Sequence, residues 1–155
     1  MYMALNGHCY IQENYLVAVV AMGRVVIRKE EFLPGAPMES KRGVRDWKII
    51  YPETGFENKT LVLGLVEVDP GHRTPLHRHN CEEVYYILEG EGEVEVEGER
   101  YKVRAGDAVY IKENLKHRIF NTHPEKTLRY IAVGGIMLVG LLPKWPTPSP
   151  YEILE

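Results

Sequence analysis

The 155-residue chain is short of several things at once. It has two cysteines, Cys9 and Cys81. Two are too few for a disulfide framework, and their spacing matches no zinc motif, so both read as reduced thiols of a cytoplasmic protein. It has no excess of positive charge, since 19 Lys and Arg stand against 22 Asp and Glu, a formal net charge of −3. Without a basic stripe the surface repels a phosphate backbone on average, which removes nucleic acid from the expected partners. It has no long apolar run. The longest early one, Leu16 to Met22, falls short of the ~20 residues of a membrane span, so no membrane association is expected. No Lys or Arg precedes that run, as a signal peptide would require. Residues 1–22 read as an N-terminal extension, with Met22 as a candidate natural start. Aspartate and glutamine are scarce too. Three Asp leave 19 Glu among the acids, and Gln12 is the only glutamine, a thermophile-like composition.

What is present is an apolar fraction of 45% and a charged fraction of 26%, which suits one globular domain, placed at residues 23–135. Its pattern is all-β. Arg24–Arg28 reads as a first strand, residues 30–46 as loop, and Trp47–Tyr51 as a second strand. Leu61–Val68 is a strand closed by Asp69-Pro70-Gly71 turn chemistry. Val84–Leu88 is apolar on both faces and so central. Glu93-Val94-Glu95-Val96-Glu97 alternates strictly, with valines inward and glutamates in solvent, before a tight turn at Gly98-Glu99. Tyr101–Val103, Ala108–Ile111, His117–Asn121 and Leu128–Val133 follow. Many short strands between Gly and Pro turns indicate a sandwich or barrel. Residues 136–155 differ: Ile136–Leu142 is apolar, and Pro143, Pro146, Pro148 and Pro150 then impose an extended tail near polyproline II.

Chemistry concentrates in Gly71–Gly90. His77 and His79 are two apart, so on a strand both imidazoles leave the same face and can meet one ion. Glu83 opens the next strand, past Asn80-Cys81-Glu82, and can turn back to the same point. His117 is the remaining histidine flanked by strand-like apolar residues, and it supplies the fourth donor. Three imidazoles and a carboxylate suit a divalent transition metal such as Mn, Fe, Zn or Ni, and leave positions open on an octahedral ion. Cys81 reads as a small packing residue and Glu82 as solvated.

These residues resemble the cupin superfamily, small β-barrels with two motifs. Gly71, His77, His79, Glu83 and Gly90 fit the first motif at every spacing. Gly106, His117 and Asn121 fit the second, although Lys112 and Asn114 stand where Pro and Gly are usual. The resemblance covers residues 60–135. It implies a single cupin-type β-barrel, that is, a jelly roll or double-stranded β-helix. It also implies one bound metal at His77, His79, Glu83 and His117, a small-molecule ligand in the barrel, and a homodimer. The activity expected is that of a metal-dependent enzyme, isomerase or dioxygenase-like, on a small polar metabolite such as a sugar or keto acid. The alternative is a non-catalytic sugar-binding or sensing module.

Strand parity adds pocket candidates: Tyr85, Ile87, Tyr110, Ile119 and Asn121. Of these, Tyr85 and Tyr110 are candidate catalytic acids or bases. None is charged, so a phosphate substrate would need Arg73, Arg78 or Lys112 to swing in. Two apolar surfaces, Ile136–Leu142 and the outer face of Val84, Tyr86 and Leu88, exceed what one barrel buries and point to self-association.

Overall fold

The computed structural model describes residues 23–32, 38–40, 43–135 and 152–154. A single helical turn, α1 (Lys29–Phe32), precedes β1 (Met38–Ser40), β2 (Val44–Ile50), β3 (Leu61–Val68), β4 (His77–Arg78) and β5 (Glu83–Glu89). Then come β6 (Glu91–Val96), β7 (Glu99–Arg104), β8 (Ala108–Ile111), β9 (His117–Asn121), β10 (Leu128–Gly135) and β11 (Glu152–Ile153). They build two antiparallel sheets, ordered β1-β2-β3-β10-β5-β8 and β11-β4-β9-β6-β7. This is the all-β jelly roll expected above. No helix among the described residues is long and apolar enough to cross a membrane. The apolar run Ile136–Leu142 and the proline-rich stretch after it lie outside the described residues, as do Cys9 and the rest of residues 1–22.

Alternation puts one set of side chains between the sheets. Val66, Val68, Tyr85, Ile87, Tyr130 and Ala132 from the first sheet meet Val94, Val103 and Ile119 from the second. Each such aliphatic side chain contributes about 1.5–3 kcal/mol by leaving water. Asn121 pins the sheets together at one end. Its Nδ2 donates to Val68 O at 2.9 Å and Lys126 O at 2.8 Å, and its Oδ1 accepts the His123 N–H at 3.0 Å. Its amide therefore holds a corner.

Four expectations are corrected. Residues 30–46 are not all loop, because most of α1, all of β1 and the start of β2 lie there. Arg24–Arg28 is not a strand; Val25 and Val26 are exposed and have no partner strand. The hairpin turn lies one residue earlier than expected, at Glu97-Gly98, both with positive φ (49° and 88°), the geometry that matches strand twist in a two-residue loop. Glu95 is not solvated, because Arg100 and Arg118 cover it at 3.3 and 3.0 Å.

Gly90 and Gly98 separate two consequences of positive φ. At Gly98 (φ +88°) an added Cβ meets open space, whereas at Gly90 (φ +83°) it would sit 2.7 Å from Thr127 O. Gly98→Ala should cost about 1–2 kcal/mol from backbone strain alone. Gly90→Ala should cost about 1–3 kcal/mol more, because backbone must move. Urea unfolding with an unchanged slope checks the order.

Candidate metal centre

Four buried side chains converge from both sheets. His77 comes from β4 and His117 from β9, directly opposite each other in register. His79 follows β4, and its carbonyl is tied down by the Asn114 N–H at 2.7 Å. Glu83 opens β5 in the other sheet. One donor atom from each lies within 4.8 Å of every other. Donors bound at about 2.1 Å to one ion stand about 3–4.2 Å apart, so the spacing suits a shared cation after small adjustments. The ring centroids are 4.1 Å apart for His77 and His117, 4.9 Å for His79 and His117, and 5.8 Å for His77 and His79.

Protons decide what this cluster can bind. Each imidazole Nδ1 sits on a backbone carbonyl: His77 on Pro75 O at 2.8 Å, His79 on Cys81 O at 2.9 Å, His117 on Leu115 O at 2.8 Å. A carbonyl only accepts, so each Nδ1 carries the hydrogen and each neutral ring presents a bare Nε2 lone pair. Glu83 Oε2 lies 3.1 Å from His117 Nε2 and 3.3 Å from His79 Nε2. With neutral rings no hydrogen lies between them. Lone pairs face a carboxylate across a buried space, an arrangement that a cation satisfies.

Titration in the metal-free cluster follows from burial and from the mutual field of these groups. Burial, then the field of neighbouring His117, pushes His77 down from 6.5 to about 4. Burial raises the Glu83 carboxyl, but hydrogen bonds from His117 and His79, which need a proton on those Nε2 atoms, outweigh it and bring it from 4.5 to about 2; an Nε2 proton and a cation are alternative ways to satisfy this carboxylate. At neutral pH the pocket therefore holds neutral His77 and a carboxylate. An uncompensated buried carboxylate is costly, and a divalent ion held there would offset that cost and join the sheets.

The remaining sequence candidates separate. Tyr85 is buried on the same face of β5 as Glu83, its ring centroid 6.4 Å from that of His117 and 4.6 Å from that of Tyr130. Tyr110 is on the wrong face. Glu83 pairs with Ile111 and Val84 with Tyr110, so Ile111 points in while Tyr110 is 61% exposed and donates its hydroxyl to Glu82. Ile87 and Ile119 are core. Arg73, Arg78 and Lys112 are all exposed, and Arg78 pairs with Glu152. Cys81 is half-buried, its sulfur accepting the Gly135 N–H at 3.1 Å. The carbonyls that orient the rings left no mark in the sequence, since any residue at 75, 81 or 115 supplies one.

Comparison with known proteins bears on the family and the fold. A family model described as a cupin domain matches residues 64–134. A dimethylsulfoniopropionate lyase of Ruegeria pomeroyi is 38% identical over 46% of this chain, and the match spans only 47% of the lyase. An oxalate-binding protein of Thermotoga maritima is 30% identical over 70% of this chain and 92% of that protein. Among solved structures, a polyketide cyclase from Streptomyces resistomycificus shares the fold, with TM-score 0.64 and 22% identity over 85% of this chain and 86% of that one.

Two outcomes are expected. The protein should carry about one divalent ion per chain by elemental analysis, and His77→Ala with His79→Ala should abolish it while the fold survives with a lower Tm. Metal-free protein should also lose stability on acidification. Between pH 6.5 and about 4 the unfolded chain binds a proton at His77 that the folded chain refuses, so stability falls as pH falls through that window. Glu83 adds the same sign between 4.5 and about 2. Thermal melts across pH, with and without chelator, read both.

Proposed function

This chain belongs to the cupin family, and we propose that it is a metal-dependent enzyme acting on a small oxygen-bearing metabolite such as a keto acid or sugar, with His77, His79, Glu83 and His117 as the residues that would hold its ion. One observation carries this reading. Three Nε2 lone pairs with fixed tautomers and one buried carboxylate point at one place. Four donors are fewer than the six that Mn, Fe or Ni commonly takes, which leaves room for substrate oxygen. A bound divalent ion supplies Lewis acidity toward a carbonyl, carboxylate or hydroxyl.

The protein's own groups would do the rest. Tyr85 shares the inward face with Glu83, which supports it as the phenol that would hold or pass a proton to a substrate at the site. Ile111 and Ile119 are buried apolar neighbours in the same core and help to exclude water. With Arg73, Arg78 and Lys112 exposed, no guanidinium or ammonium among them clamps a phosphate in the barrel, so an uncharged or weakly acidic metabolite ranks above a sugar phosphate. The oxalate-binding relative supports a small carboxylate as ligand. Its name also favours the second reading, a module that binds such a ligand without turning it over.

We infer a homodimer as well, formed through the outer face of the six-stranded sheet. Register lines up Trp47, Leu65, Ile131, Tyr86 and Ala108 in one row, and Leu63, Val133, Val84 and Tyr110 in the next. Val84, Tyr86, Leu88 and Tyr110 are exposed there. Contiguous apolar surface of this kind usually marks an interface.

Metal-loaded protein should gain several degrees in Tm with oxalate or an α-keto acid, and chelated protein should not. An enzyme additionally consumes its substrate, and Tyr85→Phe should then slow turnover by about 100-fold or more with metal content unchanged. A thermal shift without turnover for any keto acid or sugar would select the binding module. Light scattering at micromolar concentration should give twice the 17.8 kDa chain mass; a clean monomer overturns the dimer.

A further inference from the structure

β4 is two residues long, yet it carries His77, and its two edges are held unequally. Toward β9 it has a single register pair, His77 with His117. Toward β11 it has two, Arg78 with Glu152 and His77 with Ile153. Beyond the pair, the Leu154 N–H donates to Leu76 O at 2.9 Å. Arg78 Nε donates to Glu152 Oε2 at 2.6 Å across the same contact.

The rest of the segment is anchored at its ends. Thr74 exchanges two hydrogen bonds with Ile119, N–H to O at 3.0 Å and Oγ1 from N–H at 2.9 Å. His79 O is held by the Asn114 N–H. Between these anchors the β4 backbone has one register pair with β9, at His77, and two with β11. The contact of His77 Nδ1 with Pro75 O does not fix the ring in the barrel, because Pro75 belongs to the same segment and moves with it. A strand this short, paired on one side only, is marginal.

We propose that β11 is a latch on the metal-binding segment: by pairing with β4 from outside, Glu152–Leu154 hold His77 in register and so set the affinity of the site for its ion. This rests on reading His77, His79, Glu83 and His117 as a metal site. Its consequence is that residues far along the sequence, none of them a ligand, control metal occupancy. Release of β11 would loosen one ligand of four and leave the other three in place.

The test uses the full chain with zinc as the probe. Leu154→Pro deletes the N–H that Leu76 O accepts, whereas Leu154→Met keeps it and conserves volume. Zinc Kd is read by competition with a chelator, beside amide hydrogen exchange of residues 74–79 and the Tm of metal-free protein. Leu154→Pro should weaken zinc about tenfold, the scale seen when groups that orient a ligand are lost, and should speed exchange in 74–79 with little change in metal-free Tm. Leu154→Met should match the parent. Should Leu154→Pro fail to fold, the surface charge pair reads the same contact. Arg78→Glu should weaken zinc about threefold, within the range of an exposed ion pair, and adding Glu152→Arg should restore it. Faster exchange with parent-like zinc affinity overturns the latch, as does unchanged exchange. A parent that takes up no zinc overturns the metal reading itself, a result distinguishable because exchange still reports whether β11 holds β4.

Discussion

The structure turns on a buried carboxylate that has no proton to share. Glu83 sits among three imidazoles whose Nδ1 hydrogens are already committed to Pro75, Cys81 and Leu115 carbonyls. A ring that carries no second proton offers Glu83 a lone pair where a hydrogen bond would need a donor. That arrangement is expensive inside a protein unless a cation completes it. The expense also explains why the surroundings are so firmly built. The four side chains come from opposite sheets, and the apolar core between the sheets keeps β4, β5 and β9 at that separation.

The two faces of the six-stranded sheet divide the work. Inward, Tyr85, Ile87, Tyr130 and Ala132 close the core beside the site. Outward, two apolar rows run across the strands and stop at a charged row in the same register, Arg45, Glu67, Arg129 and Glu89. Arg129 joins both glutamates, Glu67 at 2.6 Å and Glu89 at 2.9 Å, and Arg45 adds Glu67 and Asp69. Such a half-exposed network contributes modestly to stability. It does set a polar boundary to the apolar face, the rim that an interface needs.

Around the site, support comes from backbone more than from side chains. The Glu97 carboxylate accepts the Lys116 N–H at 2.6 Å and its own N–H reaches Lys116 O at 2.9 Å, which fixes the chain just before His117. Thr74 and Asn114 do the same on either side of His77 and His79. Hydrogen bonds of this kind are each worth about 1 kcal/mol in stability. Their larger effect is to position rings that would otherwise pay for ordering when an ion binds.

Much of the site was legible in the residues alone. His77 and His79, two apart, share a face on a strand, and Gly71, Glu83 and Gly90 stand at the spacings of the cupin motif that the stretch resembles. Tyr85 follows Glu83 inward by the same parity. Tyr110 shows where that reasoning fails. Ala108-Val109-Tyr110-Ile111 is apolar at every position, so its alternation carries no direction, and only the pairing of Glu83 with Ile111 says which residues point in. Likewise the one-residue shift of the β6–β7 turn, the burial of Glu95 under two arginines and the docking of β11 on β4 depend on partners distant in sequence. Side-chain periodicity records which way a residue faces within its own strand. It does not record which strand lies alongside, or which carbonyl meets a ring nitrogen, because every residue has the same backbone atoms to offer.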